Sequence, residues 1–318
     1  MGLTFFDLFA GVGGFRLGME KAGHTCVGSC EWDKYSRETY KKNFGSYPEY
    51  DDAKDLHPQS LPHFDVLCAG FPCQAFSIAG KRMGFEDTRG TIFFEIARIA
   101  KEKRPSYLFL ENVKGLLSHD KGRTFSTIIS TLDEMGYDAE WQVLNSKYFV
   151  PQNRERIFIV GHLRDRSSRK VFPLGDFDKD TDKQKPKKIV GIVNDRGNLR
   201  GVEKATCIDS NYWKGCDNHA QRTMICKPVL TPDREEKRQN GRRFKEDGEP
   251  AFTINTQDRH GVYDGLRIRK LTPVECERLQ GFPDGWTSGV SDTQRYRQMG
   301  NAVTVPVVEY IAKELRLG

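Results

Sequence analysis

Short apolar runs alternate with amphipathic segments through the first half of the chain. After the first run, Phe15, Met19 and Ala22 recur at the spacing of one helix face. Strands that alternate with helices in this way are typical of an α/β fold with a mostly parallel, doubly wound, Rossmann-like sheet. The pattern predicts strands at residues 3–9, 25–30, 65–69, 107–110, 139–145 and 157–160, and further helices at 91–100 and 123–135.

The alternation fails near Leu163 and resumes near Arg269. Between these points, residues 205–209 and 251–255 resemble each other. Each is predicted to be a short strand, followed by polar residues and a glycine, in a small and irregular β-rich domain.

Helical signals return near the C-terminus. Thr272 and Glu275 have the spacing of a capping box, with Pro273 at the first helical position. A turn is predicted at 298–303, and a last helix at 305–315 is expected to dock on the first domain. The sequence therefore predicts a discontinuous main domain, residues 1–163 and 288–318, and an inserted domain, residues 164–287, with a hinge helix near 272–280.

Positive charge is concentrated in the insertion. Residues 162–268 carry 23 Lys and Arg against 17 Asp and Glu, an excess equal to the net charge of +6 of the 318-residue chain. Such a segment suits a surface that faces a polyanion. A solvated basic loop region explains the charge equally well, so charge alone leaves both interpretations open.

Cysteine usage and hydropathy indicate a cytosolic protein. The eight cysteines show no paired spacing, which favours reduced thiols. No apolar run is long enough to span a membrane, and the N-terminus begins a strand rather than a signal peptide. Cys207, Cys216, His219 and Cys226 are of metal-binding types, but their spacing matches no zinc pattern.

One cysteine stands in a setting that favours chemistry. Cys73 follows Pro72, which ends an apolar run because proline offers no N–H to a neighbouring strand. The thiol is therefore expected in a loop at the carboxyl end of a strand, where open α/β sheets bind ligands. A thiolate there can act as a nucleophile. A buried structural cysteine is the alternative for this dipeptide taken alone.

Other predicted strands also end in residues that can bind or react. A turn with Gly11, Gly13 and Gly14 follows the first strand, where glycine lets the backbone approach a ligand and the helix start offers free N–H groups. Glu31, after the second strand, stands where such folds hold ribose hydroxyls, and Trp32 can lie against an adenine ring. A surface acid and a packed tryptophan are the alternative. The polar loop 80–90, with a glycine at each end, suits a lid.

These motifs, in this order, closely resemble those of bacterial DNA (cytosine-5) methyltransferases of restriction–modification type. The resemblance covers nearly all of residues 3–161 and 269–316, whereas residues 164–268 correspond only in place to the family's variable target-recognition domain. It implies catalytic roles for Cys73, Glu111, Arg154 and Arg156. The implied S-adenosylmethionine contacts are Phe9, Gly11, Gly13, Gly14, Glu31, Trp32, Asp55, Leu56, Pro72, Asn301 and Val303, and the expected DNA contacts outside the insertion are Gln74, Ser77, Lys81, Arg82 and Arg89. Within the insertion, Arg222, Thr223, Gln257 and Arg259 are of types that suit base edges and phosphates. Arg222 and Arg259 could instead pair with acids inside the small domain.

The resemblance also implies a mechanism. The Cys73 thiolate adds to C6 of a flipped-out cytosine, Glu111 hydrogen-bonds N3, and Arg156 contacts O2 while C5 accepts the methyl group. The expected product is S-adenosylhomocysteine, and the expected partners are double-stranded DNA and a cognate restriction endonuclease that need not be in contact. The enzyme is expected to be a cytoplasmic monomer.

Three alternatives stay open at this point. The same chemistry can act on tRNA, although a basic insertion of about 100 residues favours duplex DNA. The first βα unit alone would suit a nicotinamide-dependent oxidoreductase, in which Cys73 and Glu111 have no role. A catalytically silent DNA-binding protein is the third, and an intact Cys73 argues against it.

Overall fold

The central sheet has six strands in the order β2-β1-β3-β4-β6-β5. In this computed structural model the described residues are 2–72, 92–166, 170–175, 190–193, 199–202, 222–225, 227–230, 232, 242–246, 249–256, 260–263 and 268–316. Strands β1 to β4 pair in parallel, and β6 runs antiparallel to both its neighbours. The predicted mostly parallel, Rossmann-like sheet is therefore confirmed. Its strands are β1 (Thr4–Leu8), β2 (Thr25–Cys30), β3 (Val66–Gly70), β4 (Tyr107–Val113), β5 (Tyr137–Asn145) and β6 (Glu155–Leu163).

Both faces of this sheet are covered, which explains the unbroken apolar runs. Along β1, Phe6 belongs to one buried cluster and Phe5 to another. Leu108 and Phe109 of β4 divide between the same two clusters. Because successive side chains of a strand point to opposite faces, the central strands need apolar residues on both faces.

Helices cover the sheet and close its ends. The last helix packs on the first so tightly that a Cβ on Gly18 would lie 2.6 Å from Val308 Cγ1. The predicted docking of the C-terminal helix is thus confirmed. The helices are α1 (Gly14–Lys21), α2 (Lys34–Phe44), α3 (Ile92–Lys103), α4 (Arg123–Glu134), α5 (Pro273–Leu279), α6 (Asp292–Asn301) and α7 (Val305–Ala312). The described part of the chain contains no helix that is long and apolar enough to cross a membrane.

The described residues of the predicted insertion include short antiparallel strands, in line with the predicted β-rich domain. Two three-stranded sheets have the orders β8-β7-β9 and β10-β11-β12. Their strands are β7 (Val190–Val193), β8 (Leu199–Val202), β9 (Arg222–Ile225), β10 (Lys227–Leu230), β11 (His260–Tyr263) and β12 (Ile268–Lys270).

Two local predictions are wrong, and a third, the capping box, is confirmed. Residues 251–255 form no strand beyond a single bridge from Ala251 to Gln152. The predicted turn at 298–303 is helical as far as Asn301, the last residue of α6. The capping box at the start of α5 is confirmed, since Thr272 and Glu275 exchange both hydrogen bonds. Residues 205–209 lie outside the described residues.

Candidate active site

A cavity of about 510 Å³ opens at the carboxyl ends of β1 to β4. Its wall also includes the start of β6 and the C-terminal half of α6. Open α/β sheets bind ligands at this edge. Eleven of the residues predicted from the sequence line it, namely Phe9, Gly11, Gly14, Glu31, Trp32, Pro72, Glu111, Arg154, Arg156, Asn301 and Val303.

The glycine turn after β1 exposes backbone to this cavity. Gly11 and Gly13 have φ of +56° and +84°, in the left-handed region that favours glycine. A Cβ built on Gly11 would meet no atom within 4 Å, so this side of the turn is open. Gly13 caps α1 instead, and a Cβ there would lie 2.2 Å from the ring of Phe44. Gly13 therefore shapes the turn without lining the cavity.

Glu31, at the end of β2, holds the glycine turn. Its Oε2 accepts a hydrogen bond from Gly11 N at 2.7 Å, and its Oε1 accepts one from Asp33 N at 2.7 Å. Burial raises the pKa of this carboxyl, and the two backbone donors offset part of that rise. Trp32 beside it is 73% exposed and leaves a large aromatic surface on the cavity wall.

The segment that leads to Cys73 is fixed by β4. Asn112 Nδ2 donates to Phe71 O at 2.9 Å, and Phe71 N donates to Glu111 O at 3.3 Å. Pro72, the neighbour of Cys73 in the chain, lines the cavity. The predicted nucleophile Cys73 itself lies outside the described residues.

Glu111 faces Arg156 across the β4–β6 pair. Arg156 Nε lies 3.1 Å from Glu111 Oε1, and both side chains are largely buried. Burial raises the pKa of Glu111, and the charges of Arg156 and Arg154 only partly offset this rise. A carboxyl with a raised pKa keeps its proton to a higher pH, so Glu111 can act as an acid.

Arg154 also lines the cavity, but its terminal nitrogens are already bound to backbone. Nη1 donates to Ile254 O at 2.8 Å, and Nη2 donates to Ala302 O at 2.9 Å and to Gly300 O at 3.3 Å. Burial, with the like charge of Arg156, lowers the pKa of Arg154 to about 9. Arg154 thus joins two segments of the wall, residues 251–255 and residues 300–302.

The β-bridge between Gln152 and Ala251 also fixes residues 251–255 to the segment that precedes β6. Gln152 Nε2 donates to Leu279 O, and its Oε1 accepts from Ile254 N, both at 2.8 Å. Gln152 and Arg154, which precede β6, thus bind the backbone of residues 251–255. This explains why that segment does not pair with another strand. A Cβ on Gly300 would lie 2.7 Å from the carbonyl carbon of Asn255, so α6 packs directly on this backbone.

Other predicted site residues are not brought to the cavity or are not described. Asp55 and Leu56 are absent from the cavity lining, and Leu56 is buried in the core. Arg222 and Thr223 begin β9, and the structure describes only the pairing of this strand with β7. Gln74, Ser77, Lys81, Arg82, Arg89, Gln257 and Arg259 lie outside the described residues, as do the possible zinc ligands Cys207, Cys216, His219 and Cys226. Within the described ranges no cluster of metal-ligating residues occurs.

Several lining residues were not predicted from the sequence. Phe71 and Asn112 stand beside predicted residues, and their role becomes visible only through their mutual hydrogen bond. Gln294, Arg297 and Gln298 line the cavity from α6. Their spacing with Asn301 is that of one helix face, a signal that was hidden by predicting a turn there.

Comparisons with known proteins point to one family. The sequence profile of the family described as C-5 cytosine-specific DNA methylase matches residues 3–316. The type II methyltransferase M.HhaI of Haemophilus parahaemolyticus is 39% identical over 322 residues, which cover 98% of this chain and 93% of that protein. The type II methyltransferase M1.ScrFI of Lactococcus lactis subsp. cremoris is 42% identical over 325 residues, covering 97% and 77%.

Solved structures agree on the fold. The crystal structure of the Dnmt2 methyltransferase of S. pombe superposes with a TM-score of 0.57 at 18% identity and covers 98% of this chain and 96% of its own. At that identity the likeness concerns the fold. The family match over nearly the whole chain, with two relatives near 40% identity, carries the assignment. The chain belongs to the C-5 cytosine-specific DNA methylases and is a DNA cytosine methyltransferase.

Proposed function

We propose that the enzyme methylates C5 of a cytosine that is flipped out of duplex DNA, with S-adenosylmethionine as methyl donor and S-adenosylhomocysteine as product. One observation carries the proposal. The open glycine turn held by Glu31 and the Glu111–Arg156 pair line the same cavity. A binding surface and an acid–cation pair therefore meet where a base and a cofactor can lie side by side.

The cavity fits the cofactor on two counts. Gly11 leaves open space where any other residue would place a Cβ, and Trp32 offers an exposed ring for a base to lie on. Glu31, although bonded to Gly11, keeps lone pairs that can accept from ribose hydroxyls. When bound, S-adenosylmethionine supplies an electrophilic methyl group. Asp55 and Leu56 would join this set only if their segment moves toward the cavity.

Each protein group in the proposed reaction has a physical reason. The Cys73 thiolate adds to C6 of the cytosine, which ends the aromaticity of the ring and makes C5 nucleophilic. Glu111, as an acid, hydrogen-bonds N3, and Arg156 binds O2, so the charge that develops on the base is neutralised. C5 accepts the methyl group, its proton then passes to solvent, and the C6–S bond breaks so that the Cys73 thiolate leaves and the ring regains its aromaticity. Arg154 positions the wall through its carbonyl contacts.

The target base is proposed to be selected by the insertion, residues 164–287. Flipping costs roughly a few kcal/mol of lost stacking and pairing, which contacts to DNA must offset. The lid and insertion residues predicted to contact DNA are proposed for this role. Two relatives are named type II methyltransferases, which supports the proposal that the enzyme functions together with a cognate restriction endonuclease. We further propose that the enzyme works as a monomer in the cytoplasm.

The nucleophile is the sharpest point to test. Cys73→Ser is expected to abolish methyl transfer from labelled S-adenosylmethionine to duplex DNA and to abolish covalent trapping on DNA that carries 5-fluorocytosine, while S-adenosylhomocysteine still binds. Cys26→Ser is the matched control, since Cys26 is a free, half-buried thiol outside the cavity. Bisulphite sequencing then identifies the methylated motif. Near-normal turnover by the Cys73 variant, or methylation of tRNA in place of DNA, would contradict the proposal.

A further inference from the structure

An arginine of α2 holds the backbone of Glu31 from behind the cavity wall. Glu31 and Trp32 line the cavity, whereas Arg37 does not. Arg37 Nη1 donates to Glu31 O at 2.8 Å and to Tyr50 O at 2.9 Å. Its Nη2 donates to Pro48 O at 3.2 Å. One guanidinium therefore joins the end of β2 to the separate segment at residues 48–50.

This contact matters because β2 lies at the edge of the central sheet. Beyond the edge, the chain pairs with it through a single bridge from Cys30 to Tyr50. Glu31 N donates to Tyr50 O at 3.1 Å, and that same carbonyl accepts from Arg37. Since Arg37 also binds Glu31 O, it restrains the peptide groups on both sides of Glu31.

The carboxylate of Glu31 depends on that backbone. Its oxygens accept from Gly11 N and Asp33 N, each at 2.7 Å, so a small shift of the Glu31 backbone would move the carboxylate relative to the glycine turn. The ion pair of Arg37 with Asp51 does not explain the arrangement. The Asp51 side chain is 77% exposed, and a pair open to solvent contributes little.

We propose that Arg37 is a positioning residue for cofactor binding; this rests on the proposed function. Arg37 does not touch the ligand but holds the main chain of Glu31 so that its carboxylate meets the ribose hydroxyls. A planar guanidinium suits this role, because its N–H groups diverge in a fixed fork toward several carbonyls. Acting through Glu31, Arg37 can contribute to affinity no more than the Glu31 carboxylate itself contributes.

Arg37→Met tests this role, because it keeps the apolar stem and removes the N–H groups. We expect the KM for S-adenosylmethionine to rise a few-fold to about tenfold, up to the loss expected for Glu31→Ala. The dissociation constant of S-adenosylhomocysteine, measured by calorimetry, should rise by the same factor. Saturating kcat should stay within about twofold of wild type, since only binding is affected.

A double-mutant cycle with Glu31→Ala separates positioning from a general loss of stability. If Arg37 acts through Glu31, adding Arg37→Met to the Glu31→Ala protein should weaken S-adenosylhomocysteine no further. Arg37→Lys keeps the charge without the planar fork and should recover little of the affinity. Asp51→Asn removes the ion pair alone and should leave the affinity unchanged.

Arg98→Met is the matched control. Arg98 of α3 donates to Leu56 O at 2.7 Å and to Ala53 O at 2.8 Å, so it fastens the next part of the same loop. Neither of these two residues lines the cavity. The control should therefore leave the dissociation constant of S-adenosylhomocysteine unchanged. Thermal melts check that each variant is folded at the temperature of the binding measurements.

Several results would overturn the inference. Equal weakening by Arg98→Met and Arg37→Met, or losses that multiply in the cycle, would show that Arg37 only stabilises the loop. Full recovery by Arg37→Lys would assign the effect to charge alone. An unchanged affinity in Arg37→Met, with Glu31→Ala weakened, would leave the proposed cofactor site intact and refute the role of Arg37. If wild type bound no S-adenosylhomocysteine, the proposed function itself would be wrong.

Discussion

Two buried glutamates at the same edge of the sheet are bonded in different ways. Each carboxylate oxygen of Glu31 accepts a hydrogen bond from a backbone N–H at 2.7 Å. Glu111, in contrast, has a single described partner, Arg156 Nε, at 3.1 Å. Burial raises the pKa of both. Backbone donors cannot move away, but an arginine side chain can. From this contrast we propose that Glu31 maintains the shape of the turn and that Glu111 exchanges a proton with the substrate.

The largest expected effect is on Glu111. Glu111→Gln should lower kcat by about 100-fold or more, because an amide cannot transfer a proton to N3. The dissociation constant of S-adenosylhomocysteine should change less than twofold. Wild-type kcat should fall as pH rises through the raised pKa of Glu111, since the acid form is then lost, and the variant should lack that fall.

Single-turnover rates across pH, with calorimetry for binding, check this prediction. Lys114→Ala serves as a control, because it breaks an exposed ion pair with Glu155 near the same strands. If Glu111→Gln weakened cofactor binding as strongly as it slowed the reaction, the division of roles between the two glutamates would be wrong.

The next largest effect is expected at Glu31. Glu31→Ala removes the acceptor of two backbone N–H groups and a proposed ligand contact, so S-adenosylhomocysteine should bind roughly tenfold more weakly or worse. Calorimetry measures this directly. Glu49→Ala is the matched control, since Glu49 accepts from Ser29 N of the same strand at 2.8 Å but lies outside the cavity. Equal loss of affinity in both variants would argue that only strand stability matters.

The smallest effect comes from a third carboxyl, Asp7, at the end of β1. It is fully buried, its Oδ2 accepts from Arg16 N at 3.2 Å, and its Oδ1 has no partner among the described residues. Burial raises the pKa of Asp7 from 3.8 to about 8. Between these values the folded protein binds more protons than the unfolded chain, so stability falls as pH rises through this window.

Asp7→Asn should remove that dependence. Urea unfolding at pH 6, 7 and 8 should show a wild-type free energy of unfolding that decreases by up to about 1.4 kcal/mol per pH unit, and a flatter profile in the variant. Parallel profiles for the two proteins would mean that Asp7 is ionised in the folded state.

Burial explains which elements were predictable. β3, predicted at residues 65–69, is found at Val66–Gly70, because strands covered on both faces need unbroken apolar runs. Helix α6 was missed because its sequence is polar and Gly300-Asn301 is typical of a turn. It is stabilised by tertiary contacts instead, with Met299 fully buried and Gln298 bonded to Thr39.

The site was predictable by residue type more than by role. Arg154 and Arg156 are two residues apart and look equivalent in the sequence. Only the fold shows that one faces Glu111 and that the other is bound by carbonyls from distant segments. Such differences depend on contacts between residues that are about 45 to about 150 positions apart, which local spacing does not encode.

The close packing of Gly300 on the backbone of Asn255 sets a boundary for protein engineering. Residues 251–255 come last in the predicted β-rich stretch, yet they are bonded to Gln152 and Arg154 as parts of the cavity wall. A chimera that takes a foreign specificity module should therefore be spliced ahead of Ala251. A splice after Asn255 would replace residues 251–255 with a foreign backbone, which would then have to pack directly against Gly300.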